Sequence, residues 1–258
     1  LVVACDDGTV RVVDVASGAT LADLAAVDRK KTTTTTRDDS DDDDDGAAAK
    51  QGDRHVWALD ATWAAADEDE ETDGSAEKTH DSGSVVRVCA GGENKRVDVW
   101  ASSTRDGTGA WRRLKRLDAG DEVLALRYLA APGQNFTGTQ KSHALLAVAT
   151  VDAVVRVFDA STLKFRVSLY GHSVGVLAVD AASDGEVVAT AGADKTVKFW
   201  GLEYGDLRQS ALAHLDAVTS VVFVPGTHYL FTASKDGDVK MWDADRGLEP
   251  FVQTLKRG

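Results

Sequence analysis

An all-β architecture, a propeller of about five blades forming an incomplete ring, is what this sequence predicts, and three observations carry it. The first is a repeat: His172, Thr190, Asp194 and Trp200 recur as His214, Thr232, Asp236 and Trp242, each displaced by 42 residues. A fixed period of roughly 40 to 45 residues marks propeller blades. The second is alternation. Thr196-Val197-Lys198-Phe199-Trp200 and Asp238-Val239-Lys240-Met241-Trp242 each follow a turn containing Asp and change character with the period of two that marks a strand. The third is composition: 43% of the 258 residues are hydrophobic, only three are proline, and no apolar run approaches the roughly 18 residues a membrane helix needs.

The blades follow in chain order. The first, residues 1–27, lacks its opening strand and keeps the template as Val10 and Val12, with Val13 at the Trp position, Asp7 at the turn and Val3 where Thr190 stands. In the second, 55–118, the same places hold Val97, Val99, Trp100, Asn94 and Ala90; in the third, 119–170, they hold Val155, Val157, Phe158, Asp152 and Val148. These three copies have lost the Thr and the His. The fourth blade, 171–212, is the best kept, with strands expected over 174–181, 186–192, 195–201 and 207–212. Ser183-Asp184-Gly185, Ala193-Asp194-Lys195 and Gly205-Asp206 supply its turns. The fifth, 213–258, repeats it and ends after a fourth strand, which leaves the expected arc open at both edges.

Two low-complexity inserts interrupt the pattern, at 28–54 and, within the second blade, at 64–83. They hold nine acidic against six basic residues and eight against one, about ten of the 13 net negative charges. Neither has the apolar content to form a core, so both are expected to be disordered. Ser40, followed by Asp41 to Asp45, is a candidate phosphosite for an acid-directed kinase. Antiparallel strand order puts the first insert on the rim that carries the His and Asp, and the second on the opposite rim with 103–109 and 131–143.

The repeated polar residues form a chain of donors and acceptors: an indole N–H to a hydroxyl, the hydroxyl to an imidazole nitrogen, the other nitrogen to a carboxylate. A Thr, a His and an Asp in one unit also match a nucleophilic triad. A catalytic constellation occurs once per site, however, whereas this one recurs beside a Trp, which favours a buried network tying strands and turn together. The six histidines are otherwise scattered, and Cys5 and Cys89, both in expected strands, are unclustered. Neither a phosphate loop nor metal-ligand spacing is present, so no cofactor, no metal, no small-molecule substrate and no enzymatic activity are expected. Asn135-Phe136-Thr137 is a glycosylation-type triplet without a leader to support it. The net charge of −13 opposes nonspecific binding to phosphate, although the near-neutral blades carry one basic cluster, Arg112, Arg113, Lys115 and Arg116.

The Gly171-His172 pair and the Trp242-Asp243 ending are general features of WD repeats. More specific are "STLKFRVSLYGH" (161–172), "ADKTVKFWGLEYGD" (193–206), "FVPGTHYLFT" (223–232) and "KDGDVKMWDAD" (235–245). These stretches resemble the WD-repeat UTP-B subunit family of the small-subunit processome, the U-three-associated protein twelve or WD repeat-containing protein three family. The resemblance is strong over 151–255; before that only strand ends such as "VDVW" (97–100) persist. It implies a nucleolar, non-catalytic scaffold with two propellers and a helical tail, acting in processing of the small-subunit rRNA precursor. The implied partners are other WD-repeat UTP-B subunits, the U-three snoRNP and pre-rRNA, with no membrane. The long inserts, Val174-Gly175-Val176 where a Pro is usual after the His, and an end at Gly258 before another blade depart from the family pattern. The alternative is a WD-repeat adaptor of another complex, such as a ubiquitin-ligase substrate receptor.

Overall fold

A computed structural model of the chain describes residues 1–5, 9–24, 56–65, 84–104, 107–129 and 145–246. Every regular element among the described residues is a strand, and the strands form five antiparallel sheets. The first sheet joins β1 (Val2–Ala4), β2 (Val10–Val13) and β3 (Thr20–Asp23). The second joins β4 (Val56–Ala65), β5 (Ser84–Gly92), β6 (Arg96–Ser102) and β7 (Trp111–Asp118). The third joins β8 (Val123–Leu129), β9 (Leu145–Thr150), β10 (Val154–Asp159) and β11 (Phe165–Tyr170). The fourth joins β12 (Val176–Ala181), β13 (Val188–Gly192), β14 (Thr196–Trp200) and β15 (Leu207–Leu212); the fifth joins β16 (Val218–Phe223), β17 (Tyr229–Ser234) and β18 (Val239–Asp243). Strands lie side by side in sequence order in every sheet, and β4, β8, β12 and β16 pack each against the next as the inner strands. This is the architecture of a WD-repeat β-propeller, the all-β class read from the sequence.

Two expected strands of the fourth blade start two residues late, for local reasons. The carbonyl of Gly175 accepts the Ala193 N–H (3.0 Å), so Val174-Gly175 belongs to the link. Gly185 N–H bonds to Ala182 O (2.9 Å) and Asp184 caps the N–H of Glu186 (2.9 Å), which closes the turn before β13 begins. Cys5 falls one residue beyond β1 rather than within it. The turn residue Asp7 and the chain beyond Arg246 lie outside the described residues.

Because side chains alternate across a strand, each sheet has two apolar faces, and the core lies between sheets rather than in one centre. Val97, Val99 and Leu117 of the second sheet pack with Leu146, Val148 and Phe158 of the third. Leu145, Val155 and Leu169 of the third pack with Val179, Val188 and Trp200 of the fourth, and Ala189, Val197 and Phe199 of the fourth with Val221, Leu230 and Trp242 of the fifth. Cys89 sits in the layer between the second and third sheets, fully buried, its thiol 3.5 Å from the carbonyl of Asp60.

The sheets also share their irregularities. The pairing of the innermost two strands slips after Val56, Val123, Val176 and Val218, the first strand residue in each case. The pairing of the outer two slips beside Val13, Trp100, Phe158 and Trp200. A bulge adds local twist. Its recurrence at equivalent places shows that the sheets whose sequences have drifted keep the backbone of the well-kept ones.

Candidate functional site

The fourth and fifth sheets bring the repeated polar residues together in two tetrads with the same connectivity. Trp200 Nε1 donates to Thr190 Oγ1 (2.7 Å), Thr190 Oγ1 lies 2.7 Å from His172 Nε2, and His172 Nδ1 lies 2.8 Å from Asp194 Oδ2. In the fifth sheet the corresponding distances are 2.9 Å for Trp242 to Thr232, 2.8 Å for Thr232 to His214 and 3.1 Å for His214 to Asp236. An indole N–H can only donate, so the hydroxyl that accepts it directs its own hydrogen to Nε2. The imidazole proton is thereby left on Nδ1, facing the carboxylate. Each Asp also gathers backbone donors: Asp194 accepts Ser173 N–H (3.1 Å) and Thr196 N–H (3.1 Å), and Asp236 accepts Leu215 N–H (2.9 Å) and Asp238 N–H (3.0 Å). The tetrad thus ties the link between blades, the second and third strands, and the turn between those strands.

Electrostatics follow from this wiring. Burial lowers the pKa of both His172 and His214 below the ordinary 6.5, a shift opposed by their Asp partners, so both rings are held neutral. Burial works against ionisation of Asp194 and Asp236, but their hydrogen bonds outweigh it, lowering Asp194 below its usual value and Asp236 to about 2. Thr190 has no exposed surface and Thr232 almost none. A hydroxyl closed in between an indole and an imidazole has no approach for a substrate, so the tetrads have the order of a triad without its access.

The third sheet lacks the tetrad and replaces it. Gly120 occupies the place of His172, and the Arg156 guanidinium fills the space, paired with Asp152 (2.7 Å) and bonded to Thr150 Oγ1 (2.9 Å). Gly120 holds a φ of +81°, which favours glycine, and a Cβ there would stand 3.1 Å from that guanidinium. In the second sheet, Asn94 Oδ1 accepts the Arg96 N–H (3.1 Å), and the turn is fastened to the third by Lys95 and Asp121 (2.7 Å).

A second set of contacts joins the inner strands of successive sheets. Asp60 on β4 accepts the N–H of Tyr128 on β8 (2.7 Å); Arg127 on β8 donates to Asp180 on β12 (3.0 Å); Asp180 accepts the N–H of Phe223 on β16 (2.8 Å). Asp60, Arg127 and Asp180 hold the same place, two residues beyond the inner-strand slip. On the rim opposite the tetrads, His228 stands 2.6 Å from Asp184 of the fourth blade and 2.6 Å from Asp245 of its own. Beside it Gly226 N–H donates to Ser183 Oγ (3.0 Å). The "VPGTH" turn is therefore an inter-blade fastening.

The sequence matches the family of WDR3 second beta-propeller domains over residues 49–256. The chain belongs to that family. It is also 30% identical over 115 residues to the nuclear distribution protein nudF 1 of Talaromyces marneffei, covering 43% of this chain and 24% of that one. Identity to the small ribosomal subunit protein RACK1y of Oryza sativa subsp. japonica is 34% over 113 residues, covering 41% and 32%. Identity to the U3 snoRNP-associated protein-like EMB2271 of Arabidopsis thaliana is 36% over 90 residues, covering 34% and 19%. The chain spans between a fifth and a third of the length of these relatives.

The unusual stretches of the sequence have physical reasons. In "WGLEYGD", a Cβ on Gly201 would lie 2.6 Å from Asp206 Oδ1, and Gly205 adopts φ of +72° with Val167 against it. Gly205 N–H closes the loop onto Gly201 O (3.0 Å). Of the basic cluster, Arg116 grips Asp98 (2.7 Å), Arg113 lies 3.9 Å from the same carboxylate, and Lys115 Nζ reaches Leu163 O in the third blade (3.3 Å). A cleft of about 590 Å³ beside them is lined by Asn94, Lys95, Arg96, Arg116, Leu117 and Asp118, where Lys95 and Arg116 are already engaged with carboxylates. Ser40, Asn135 and the two acidic inserts, apart from Ala64 and Ala65 at the end of β4, lie outside the described residues. Among the described residues no group of three or more His, Cys, Asp or Glu is placed to hold a metal.

Proposed function

We propose that the protein is a non-catalytic WD-repeat scaffold of the small-subunit processome, acting in pre-rRNA processing and small ribosomal subunit assembly in the nucleolus. The observation that carries this reading is the family match over 49–256, in a chain whose repeated Thr-His-Asp constellation is sealed from substrate. The name of the relative EMB2271 supports the same direction. Rigid blades suit a scaffold because a receptor that is already ordered loses little conformational entropy on binding. Its partners in this reading are other WD-repeat UTP-B subunits, the U-three snoRNP and pre-rRNA. Its working units are blades at 1–27, 55–118, 119–170, 171–212 and 213–258, with Ser40 in the first acidic insert as a phosphosite. The test is affinity purification of the full-length protein together with its depletion. The reading expects UTP-B subunits and the U-three snoRNA in the purified material and accumulation of unprocessed small-subunit precursor, with normal maturation of the large subunit. Normal small-subunit processing with a pull-down dominated by ubiquitin-ligase subunits would transfer the function to the adaptor class.

A further inference from the structure

We propose that Ser210 is a phosphorylation site, placed so that a phosphoserine meets the buried ammonium of Lys198 on the side of the fourth blade that faces the third. Strand β14 turns Lys198 and Trp200 to that side, where Trp200 packs with Leu145, Val155 and Leu169. Lys198 pairs with Ser210 on β15, and its Nζ donates to Ser210 Oγ at 2.6 Å. Only 7% of Lys198 is exposed, and it has no carboxylate partner among the described residues.

The same strand position holds a cation in the third and fifth blades, and there each has a stronger acceptor or more water. Arg156 and Lys240 stand opposite Val148 and Thr232 as Lys198 stands opposite Thr190. Arg156 meets the Asp152 carboxylate (2.7 Å), and Lys240, half-buried, reaches the carbonyl of Ala213 (2.6 Å). Lys198 is the most deeply buried of the three, and its acceptor is a neutral hydroxyl. A charge taken out of water costs free energy unless an opposite charge meets it. The acids nearest along the chain are engaged elsewhere: Asp194 holds His172 and the Ser173 N–H, and Asp206, before β15 begins, lies 3.8 Å from Arg208.

Ser210 has the accessibility and the free hydrogen that a kinase needs. An ammonium can only donate, so Ser210 Oγ accepts, and its own hydrogen has no acceptor among the described residues. Strand β15 is the outermost of its sheet, and Leu207, Arg208, Ser210 and Leu212 are exposed along it. The segment is thus already extended, with one backbone edge unpaired by any strand. Arg208, two residues before Ser210, suits a serine kinase that selects basic residues. In the transfer, Ser210 Oγ attacks the γ-phosphorus of a nucleoside triphosphate bound to the kinase. The Oγ–P bond forms, the bond to the β,γ-bridging oxygen breaks, a nucleoside diphosphate leaves, and the hydroxyl proton passes to the kinase's catalytic base. The phosphate adds about −1.5 to −2 charge and three acceptor oxygens. Formed on an atom already 2.6 Å from an ammonium, it takes Lys198 as its counter-charge. The inference stands on this pair of residues and is independent of which particle the protein serves.

The experiment treats the full folded chain with a basic-directed serine kinase and magnesium ATP, maps the phosphate by mass spectrometry, and compares wild type with Lys198→Met and Lys198→Arg. Phosphate is expected on Ser210 and is absent there in Ser210→Ala. The phosphorus resonance that Ser210→Ala lacks should titrate below the ordinary phosphoserine value of about 6. Lys198→Met should return it to that value, and Lys198→Arg should restore the shift. Phosphorylation should raise the wild-type melting temperature by about 2 °C or more, whereas negative charge added elsewhere to a chain of net −13 lowers it or leaves it unchanged. If Lys198→Met does not fold, Ser210→Glu against Ser210→Gln reads the same pairing with Lys198 intact, and the Glu variant should melt higher. A Ser210 that stays unphosphorylated in the folded chain overturns the inference. So does a phosphoserine that titrates near 6 with Lys198 in place, or a Glu variant that melts below the Gln one.

Discussion

Asp180 holds three blades at once: one carboxylate oxygen accepts Arg127 of the third and the other the backbone N–H of Phe223 in the fifth, from a strand of the fourth. The Phe223 N–H is buried and has this carboxylate as its acceptor, so Asp180→Ala strands a buried donor and should destabilise the chain by about 1–3 kcal/mol. Asp180→Asn retains a carbonyl acceptor and should cost less. Urea unfolding of the two variants reads the difference, and equal midpoints for wild type and Asp180→Ala would refute the inter-blade role.

Within a blade the corresponding test is Asp236→Ala. It removes the acceptor of His214 and of the Leu215 N–H together, and a loss of about 1–3 kcal/mol is expected. The same substitution at Asp194 leaves Thr196 Oγ1 within 3.3 Å of His172 Nδ1, so the fourth blade should tolerate it better than the fifth. Thermal melts of the pair rank the two, and the reverse order would contradict the hydroxyl's part.

Protonation gives two trends of opposite sign. For His172 and His214 the folded pKa lies below 6.5, so the unfolded chain binds more protons, and their contribution is present above 6.5 and lost as pH falls below it. Asp236 adds a second loss as pH falls from 3.8 toward about 2. His228 is raised above 6.5, first by its hydrogen bond to Asp245 and then by that to Asp184, so its contribution is present below 6.5 and lost as pH rises through its folded value. His228→Gln should therefore cost more stability on the acid side of neutrality than on the alkaline side. Chemical denaturation of both proteins across that range measures it, and a pH-independent deficit would rule out the Asp184-His228-Asp245 bridge.

Gly205 and Gly226 separate backbone strain from crowding. Both have positive φ, +72° and +74°, but a Cβ at Gly205 meets Val167 Cγ2 at 2.6 Å, whereas one at Gly226 meets nothing within 4 Å. Gly226→Ala should lose only the left-handed penalty of about 1–2 kcal/mol, and Gly205→Ala more. Equal losses in a melt would mean that the loop moves aside.

The propeller was legible because its signal is periodic: a displacement of 42 residues survives the loss of individual side chains. The tetrad was legible because both copies keep all four members. What escaped were contacts between units, which have no fixed spacing to read. Gly120 and Val148 look like an erased network in the third blade until Arg156 is seen occupying the space they vacate. Asp60 and Asp180, with Arg127 between them in strand order, hold one inner-strand position in successive blades, a pattern that an alignment of the blades by strand rather than by tetrad could have revealed. His228 has its two partners 44 residues before it and 17 after, distances that carry no periodic clue.

The chain also contains a timer for its own opening. Cys5 is half-buried at the edge of the first blade, whereas Cys89 has no exposed surface and burial pushes its thiol far above the reactive range. A maleimide in excess consumes Cys5 while Cys89 stays silent in the layer that joins the second and third blades. Modification of the second thiol can proceed only when that layer parts. The ratio of the two labelling rates, read on unmutated protein, measures how often these neighbours separate.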